Sequence, residues 1–207
     1  MTPTYWPEAV AHLKQDAVLA KIIADYGESA QLENKKDPFA TLVRAILGQQ
    51  ISVAAAASVQ ARFSALVGEP WQAEKILAHS DEELRACGLS RQKIAYIRGL
   101  AEAELAAHFH PKHFAEDVPD EAVAKHLIQL KGVGVWTAEM FLMFHLLRPN
   151  ILPVGDLGLR KAINLHYNGG EKLDEAATLK LAQPWAPYRT VATWYLWRSL
   201  DPVPVAY

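Results

Sequence analysis

The chain has 207 residues, 51% of them hydrophobic, with 21 Lys+Arg against 23 Asp+Glu, a net charge of −2 and one cysteine. That length supports one sizeable domain, and the lone Cys87 excludes a disulfide framework, a four-cysteine zinc site and a cysteine-held iron–sulfur cluster. The charge speaks mildly against a nucleic-acid binder held by a general basic field. Without an apolar run of transmembrane length or a signal-peptide pattern, the expectation is a soluble, intracellular protein (cytoplasm or nucleoid) with no membrane partner.

Taken in chain order, the segments read as helices separated by short breaks. The first is expected over 7–26. Asp37-Pro38, a cap followed by proline at the first helical position, opens a second that reaches about Gln49. Ser52 caps an alanine-rich helix running to Gly68. Ser80 with Glu83 forms a capping-box pattern that Gly88 closes, and Ser90 opens a helix with Ile94, Ile97, Ala101 and Leu105 on one side. Further helices are expected near 119–130, 134–147, 156–167, 174–183 and 187–200. No stretch alternates with period two, and no repeat or flexible linker appears. The expected fold class is all-α, a single domain over 1–207.

Charge is uneven. Residues 84–101 carry four basic side chains, Arg85, Arg91, Lys93 and Arg98, and no acidic one, whereas the first 43 residues carry six acidic against four basic. A near-neutral total can therefore hide a local basic face, with Arg91 and Lys93 as candidate phosphate contacts; the bland alternative is solvated helix surface. The His residues show no metal-ligand spacing, so most are expected at the surface or in caps. Cys87 is expected as a small packed residue.

Two motifs carry chemistry. Leu130 to Ala138, LKGVGVWTA, lies between an apolar helix (Val123, Leu127, Leu130) and the start of another. Gly132 and Gly134 are suited to positive φ and keep side chains off the backbone, so amides at the start of the second helix are open to phosphate oxygens. This fits a helix-hairpin-helix over about 123–147 gripping a nucleic-acid backbone, with Lys131 and Thr137 beside the glycines. Carbonyls before and within the turn, those of Ile128, Leu130 and Gly132, are candidates for a monovalent cation (Na or K), a structural ion and not a catalytic cofactor. A single GxG is weak evidence, and neither a P-loop nor a dinucleotide-fold spacing is present. Some twenty residues on, LPVGDLGLRK (152–161) sets Asp156 after Gly155 at the start of a helix. Asp156 reads as an N-cap, as a lone carboxylate facing a reaction's positive centre, or as both. No second acid at a defined spacing supports a two-carboxylate glycoside hydrolase.

Together with RAILGQQISVAAA (44–56), GLSRQKIAYIRGLA (88–101) and, more weakly, WAPYRTVATWYLW (185–197), these stretches resemble the helix-hairpin-helix–Gly/Pro–Asp DNA glycosylase superfamily. Within it, the chain is most similar to alkylpurine glycosylases of the DNA-3-methyladenine glycosylase II type. The resemblance implies two helical lobes with the active-site cleft between them, without the N-terminal β-domain of some relatives. It implies a monomer acting on double-stranded DNA that contains alkylated bases, with no catalytic cofactor. Asp156 matches the catalytic aspartate. Trp136 stands where strand-cleaving members carry a Schiff-base lysine, so base excision without lyase activity is expected. Trp136 and Trp197 match pocket tryptophans for an electron-deficient base, while Met140 and Leu157 stand where some relatives have aromatic residues. Gln49, Gln50, Ile51 and Ser52 match the loop that enters the minor groove, with Gln50 as the expected plug. The alternative is a non-catalytic helix-hairpin-helix module that binds DNA and leaves Asp156 as a cap.

Overall fold

A computed structural model describes residues 3–29, 32 and 37–200. Among these, every regular element is helical. In order they are α1 (Trp6–Leu13), α2 (Ala17–Tyr26), α3 (Pro38–Gly48), α4 (Val53–Val67), α5 (Ala73–Ala78), α6 (Asp81–Ala86), α7 (Arg91–Leu105), α8 (Asp120–Ile128), α9 (Val135–Phe144), α10 (Leu157–Tyr167), α11 (Glu175–Leu181) and α12 (Arg189–Arg198). Short 3₁₀ turns cover Pro111–His113 and Gln183–Trp185. Among the described residues no helix is long and apolar enough to cross a membrane.

The caps form where the side chains demand them. Asp37, Ser52, Ser80, Ser90 and Asp156 each accept a hydrogen bond from a first-turn amide, and Ser80 and Glu83 close a full capping box. Gly88 ends its helix at φ +96°. The expected 7–26 helix is instead two: Asp16 takes the amides of Val18 and Leu19, so the chain restarts there as α2. Neither α5 nor the two 3₁₀ turns were expected. α5 has no side-chain cap, which removes the signal that marked its neighbours. The expected 134–147 helix stops at Phe144, beyond which Leu147 takes φ +54° and Arg148 donates its N–H to Leu142 O.

The chain divides into two compact units. The first takes the described residues up to 32 together with those from 142 to 200. Its axis is α12, buried from Thr190 to Leu196 and packed against α1, α2 and α10. Aromatics weld it: the Trp6 and Trp194 rings meet edge to face at 5.4 Å, and Tyr195 Oη donates to Gly27 O at 2.8 Å. Trp185 Nε1 donates to Asp16 Oδ2, so the residue that interrupts the first expected helix also ties α2 to the turn before α12.

The second unit spans 37–141 and is centred on α7, which packs against α3, α5 and α6. Its buried face is Ile94, Ile97, Leu100 and Ala101; Leu105, expected on that face, is 54% exposed because the helix ends there. Cys87 is packed as expected, and burial pushes its thiol up. The histidines depart from expectation. The rings of His108 and His126 stack at 3.9 Å and those of His126 and His113 at 4.2 Å, against Phe109 and Phe114. His126 Nε2 also lies 2.9 Å from the His108 carbonyl, and no metal-competent cluster is found among the described residues.

Candidate nucleic-acid interface and catalytic carboxylate

The turn between α8 and α9 is closed by Leu130 N–H on Leu127 O and Val133 N–H on Leu130 O. Gly132 sits at φ +90°, and a Cβ there would lie 2.3 Å from the Tyr96 ring, so conformation and space both require glycine. Gly134 differs from expectation: its φ is ordinary and its surroundings are open. Its value is the bare rim it makes before α9. By helix geometry the first-turn amide of Val135 has no intrahelical acceptor. Lys131 and Gly134 are exposed and Val135 is 63% exposed, so this rim faces solvent. Thr137 is buried, so its hydroxyl does not stand at the rim.

The 49–52 turn lies in the same unit. The Gln49 carboxamide Nε2 donates to Gly132 O at 3.0 Å and to Thr137 Oγ1 at 3.4 Å. Gln50 is exposed at φ +58°, a left-handed conformation unusual for a side chain of its size, and Ile51 is 39% exposed. Ser52 caps α4 through the Ala55 amide. Gln49 thus turns inward while Gln50 and Ile51 form the outer edge. The basic stretch is partly internal too. Lys93 Nζ donates to Leu47 O at 2.8 Å, and burial lowers this ammonium below its ordinary range. Arg98 binds Asp81 Oδ1 and the carbonyl of His79. Arg85 and Arg91 remain exposed.

In the other unit, Asp156 caps α10: its Oδ1 accepts from Leu159 N–H at 2.7 Å and from Trp197 Nε1 at 2.8 Å. Two donors from different segments therefore fix the carboxylate. Trp197 lies parallel to the Phe144 ring at 6.0 Å, so its indole both stacks and orients the acid. Gly158 was not anticipated: a Cβ there would come 3.1 Å from Asp156 Oδ1 and 3.2 Å from Trp197 Nε1. The only sequence signal was glycine two residues after the acid. Leu157 is 81% exposed beside Asp156. Trp136 and Met140 stand on α9 in the hairpin unit, Trp136 half-buried and Met140 packed at 2% exposure.

The carbonyl set named for a cation fits one chemically. Leu130 O and Gly132 O each accept one N–H, from Val133 and Gln49, and a carbonyl carries a second lone pair. Ile128 ends α8, where carbonyls have no intrahelical donor.

Comparison with known proteins places this geometry. A model of the HhH-GPD superfamily of base excision DNA repair proteins matches residues 43–187. DNA-3-methyladenine glycosylase 1 of Schizosaccharomyces pombe is 34% identical over 183 residues, covering 87% of this chain and 80% of the relative. The solved structure of a 3-methyladenine DNA glycosylase from the same organism, in complex with abasic DNA, superposes with a TM-score of 0.83 at 30% identity, over 97% of this chain and all of that one. A DNA-3-methyladenine glycosidase from Bacillus halodurans gives 0.80 at 38% identity, over 94% and 89%. With the hairpin, the 49–52 turn and the capped aspartate all in the matched span, the chain belongs to the HhH-GPD superfamily of base excision DNA repair proteins.

Proposed function

We propose that this protein is a monofunctional DNA glycosylase that flips alkylated purines, the 3-methyladenine and 7-methylguanine class, out of double-stranded DNA and hydrolyses their N-glycosidic bond. The observation that carries the reading is the doubly held Asp156 carboxylate, fixed by Leu159 N–H and Trp197 Nε1 at the start of α10. The names and the DNA-bound structure of the relatives support it.

In this reading the hairpin amides and Lys131 grip phosphates, Gln50 fills the gap in the stack, and Trp136 offers its π face to the displaced base. A methylated purine already carries positive charge, so the C1′–N bond breaks with its electron pair leaving on the base. The sugar then resembles an oxocarbenium ion, which Asp156 stabilises electrostatically while it orients the attacking water. Trp136 supplies no amine for a Schiff base, and Lys131 precedes the turn glycine, so hydrolysis without strand cleavage is expected. A Na or K ion on the carbonyls of Ile128, Leu130 and Gly132 would add a positive partner for a phosphate. The protein is taken to work as a monomer, inside the cell, with no cofactor for the chemistry.

Base release from methylated duplex DNA tests the reading. The wild type frees methylated purines and leaves no covalent adduct when trapped with borohydride. An adduct would overturn the monofunctional assignment. Binding to abasic DNA without any base release would favour the non-catalytic module.

A further inference from the structure

The turn at 49–52 and the hairpin at 130–134 are 83 residues apart where Gln49 meets Gly132, yet they are bolted together. Gln49 ends α3 with its backbone N–H on Ile46 O and sends its carboxamide to Gly132 O and Thr137 Oγ1. The next residue, Gln50, is held at φ +58°, which turns it away from the inward-facing Gln49 and leaves it exposed. Behind both stands α7. Lys93 holds Leu47 O, two residues before Gln49, and Tyr96, three residues further on and so on the same helical face, abuts Gly132. One helix face therefore backs the root of the turn and the glycine of the hairpin at once.

We propose that Gln49, backed by Lys93 and Tyr96, is a positioning residue that fixes the spacing between the groove-entering turn and the phosphate-gripping hairpin. This rests on the glycosylase reading above. Extruding a stacked, paired nucleotide requires a plug that does not recoil when pushed; a plug braced on the same element that holds the phosphates transmits the load to the DNA backbone. Lys93, expected as a phosphate contact, acts in this scheme through the protein carbonyl it already holds. The carboxylate chemistry itself does not use this brace. Losing it should therefore slow extrusion more than bond cleavage.

The test compares one methylated lesion in two settings: fully paired duplex, and the same strand with the lesion unpaired in a bulge, where extrusion costs little. Single-turnover base release is measured for the wild type and for Gln49→Glu, which keeps the size of the side chain but removes its donor. The ratio of paired to unpaired rates should fall about fivefold, the low end for a lost part-buried hydrogen bond that leaves its acceptor unpaired. Lys93→Met, which cuts the brace from a different helix, should lower the same ratio. A loss of stability alone would reduce both rates together, and that outcome, or an unchanged ratio in both variants, overturns the proposal. A wild type that releases no base from either substrate overturns the function and the brace with it; an active wild type with unchanged ratios overturns the brace alone.

Discussion

In the proposed function, the two units work with different parts of the chain. In the unit built from the N-terminal helices and the residues after 142, the chemistry sits in side chains: the Asp156 carboxylate, the Trp197 indole that donates to it, and the Phe144 ring beneath. In the 37–141 unit the groups proposed to work are the backbone amides and carbonyls of the hairpin, where Gly132 leaves room for Tyr96 and Gly134 faces open space. A side-chain site tolerates change around it if the acting group stays put. A backbone site fails where an added Cβ has no room, as at Gly132. The same contrast explains the charge: formal counting registers Asp156 and misses every amide at the hairpin, so a net charge of −2 says little about DNA binding.

The largest expected effect tests the backbone half. Gly132→Ala forces an L residue to φ +90° and drives its Cβ into Tyr96. The combined cost is about 3 kcal/mol of stability, read by denaturant unfolding, with loss of abasic-DNA binding. Gly134→Ala, with open space and ordinary φ, should cost less than about 1 kcal/mol. Equal costs at the two glycines would break the contrast. Next in size, Trp197→Phe keeps a ring against Phe144 but removes the N–H on Asp156; base release should fall somewhat over tenfold, from a lost bond of about 1.5 kcal/mol to a charged acceptor, with DNA affinity unchanged.

The smallest effect concerns pH. Burial, then the neighbouring His126, holds His108 below the ordinary imidazole range, and His113 is lowered by burial, His126, Lys112 and His110. Both groups therefore take up protons more readily in the unfolded chain. At pH above the ordinary His value neither state is protonated and nothing is lost. As pH falls through that value the unfolded state gains protons first, so stability declines toward pH 5. Thermal melts from pH 7.5 to pH 5 should show a falling midpoint, flattened by His108→Phe together with His113→Phe. A midpoint that rises on acidification would contradict the stack.

What the sequence disclosed followed chain locality. Capping is settled within four residues, so the starts at Asp37, Ser52, Ser80, Ser90 and Asp156 were legible, and with them most helices. The break at Asp16 was not, because apolar periodicity runs on through it and Trp185, its other partner, is 169 residues away. The acid and the hairpin could be named from motifs. The inward turn of Gln49 and the use of Lys93 on Leu47 O could not, since those bonds cross 83 and 46 residues. Gly158 escaped notice for the same reason: its need arises from Trp197, a residue far along the chain that reaches over it.

The most direct measurement is single-turnover release of methylated purines by Asp156→Asn beside its affinity for abasic DNA. Asparagine caps a helix as well as aspartate does, so the fold and the grip of the hairpin stay intact while the charge is removed. Base release should fall by at least about 100-fold with binding within about twofold of wild type. Release near the wild-type rate would contradict the assignment of Asp156 as the catalytic group.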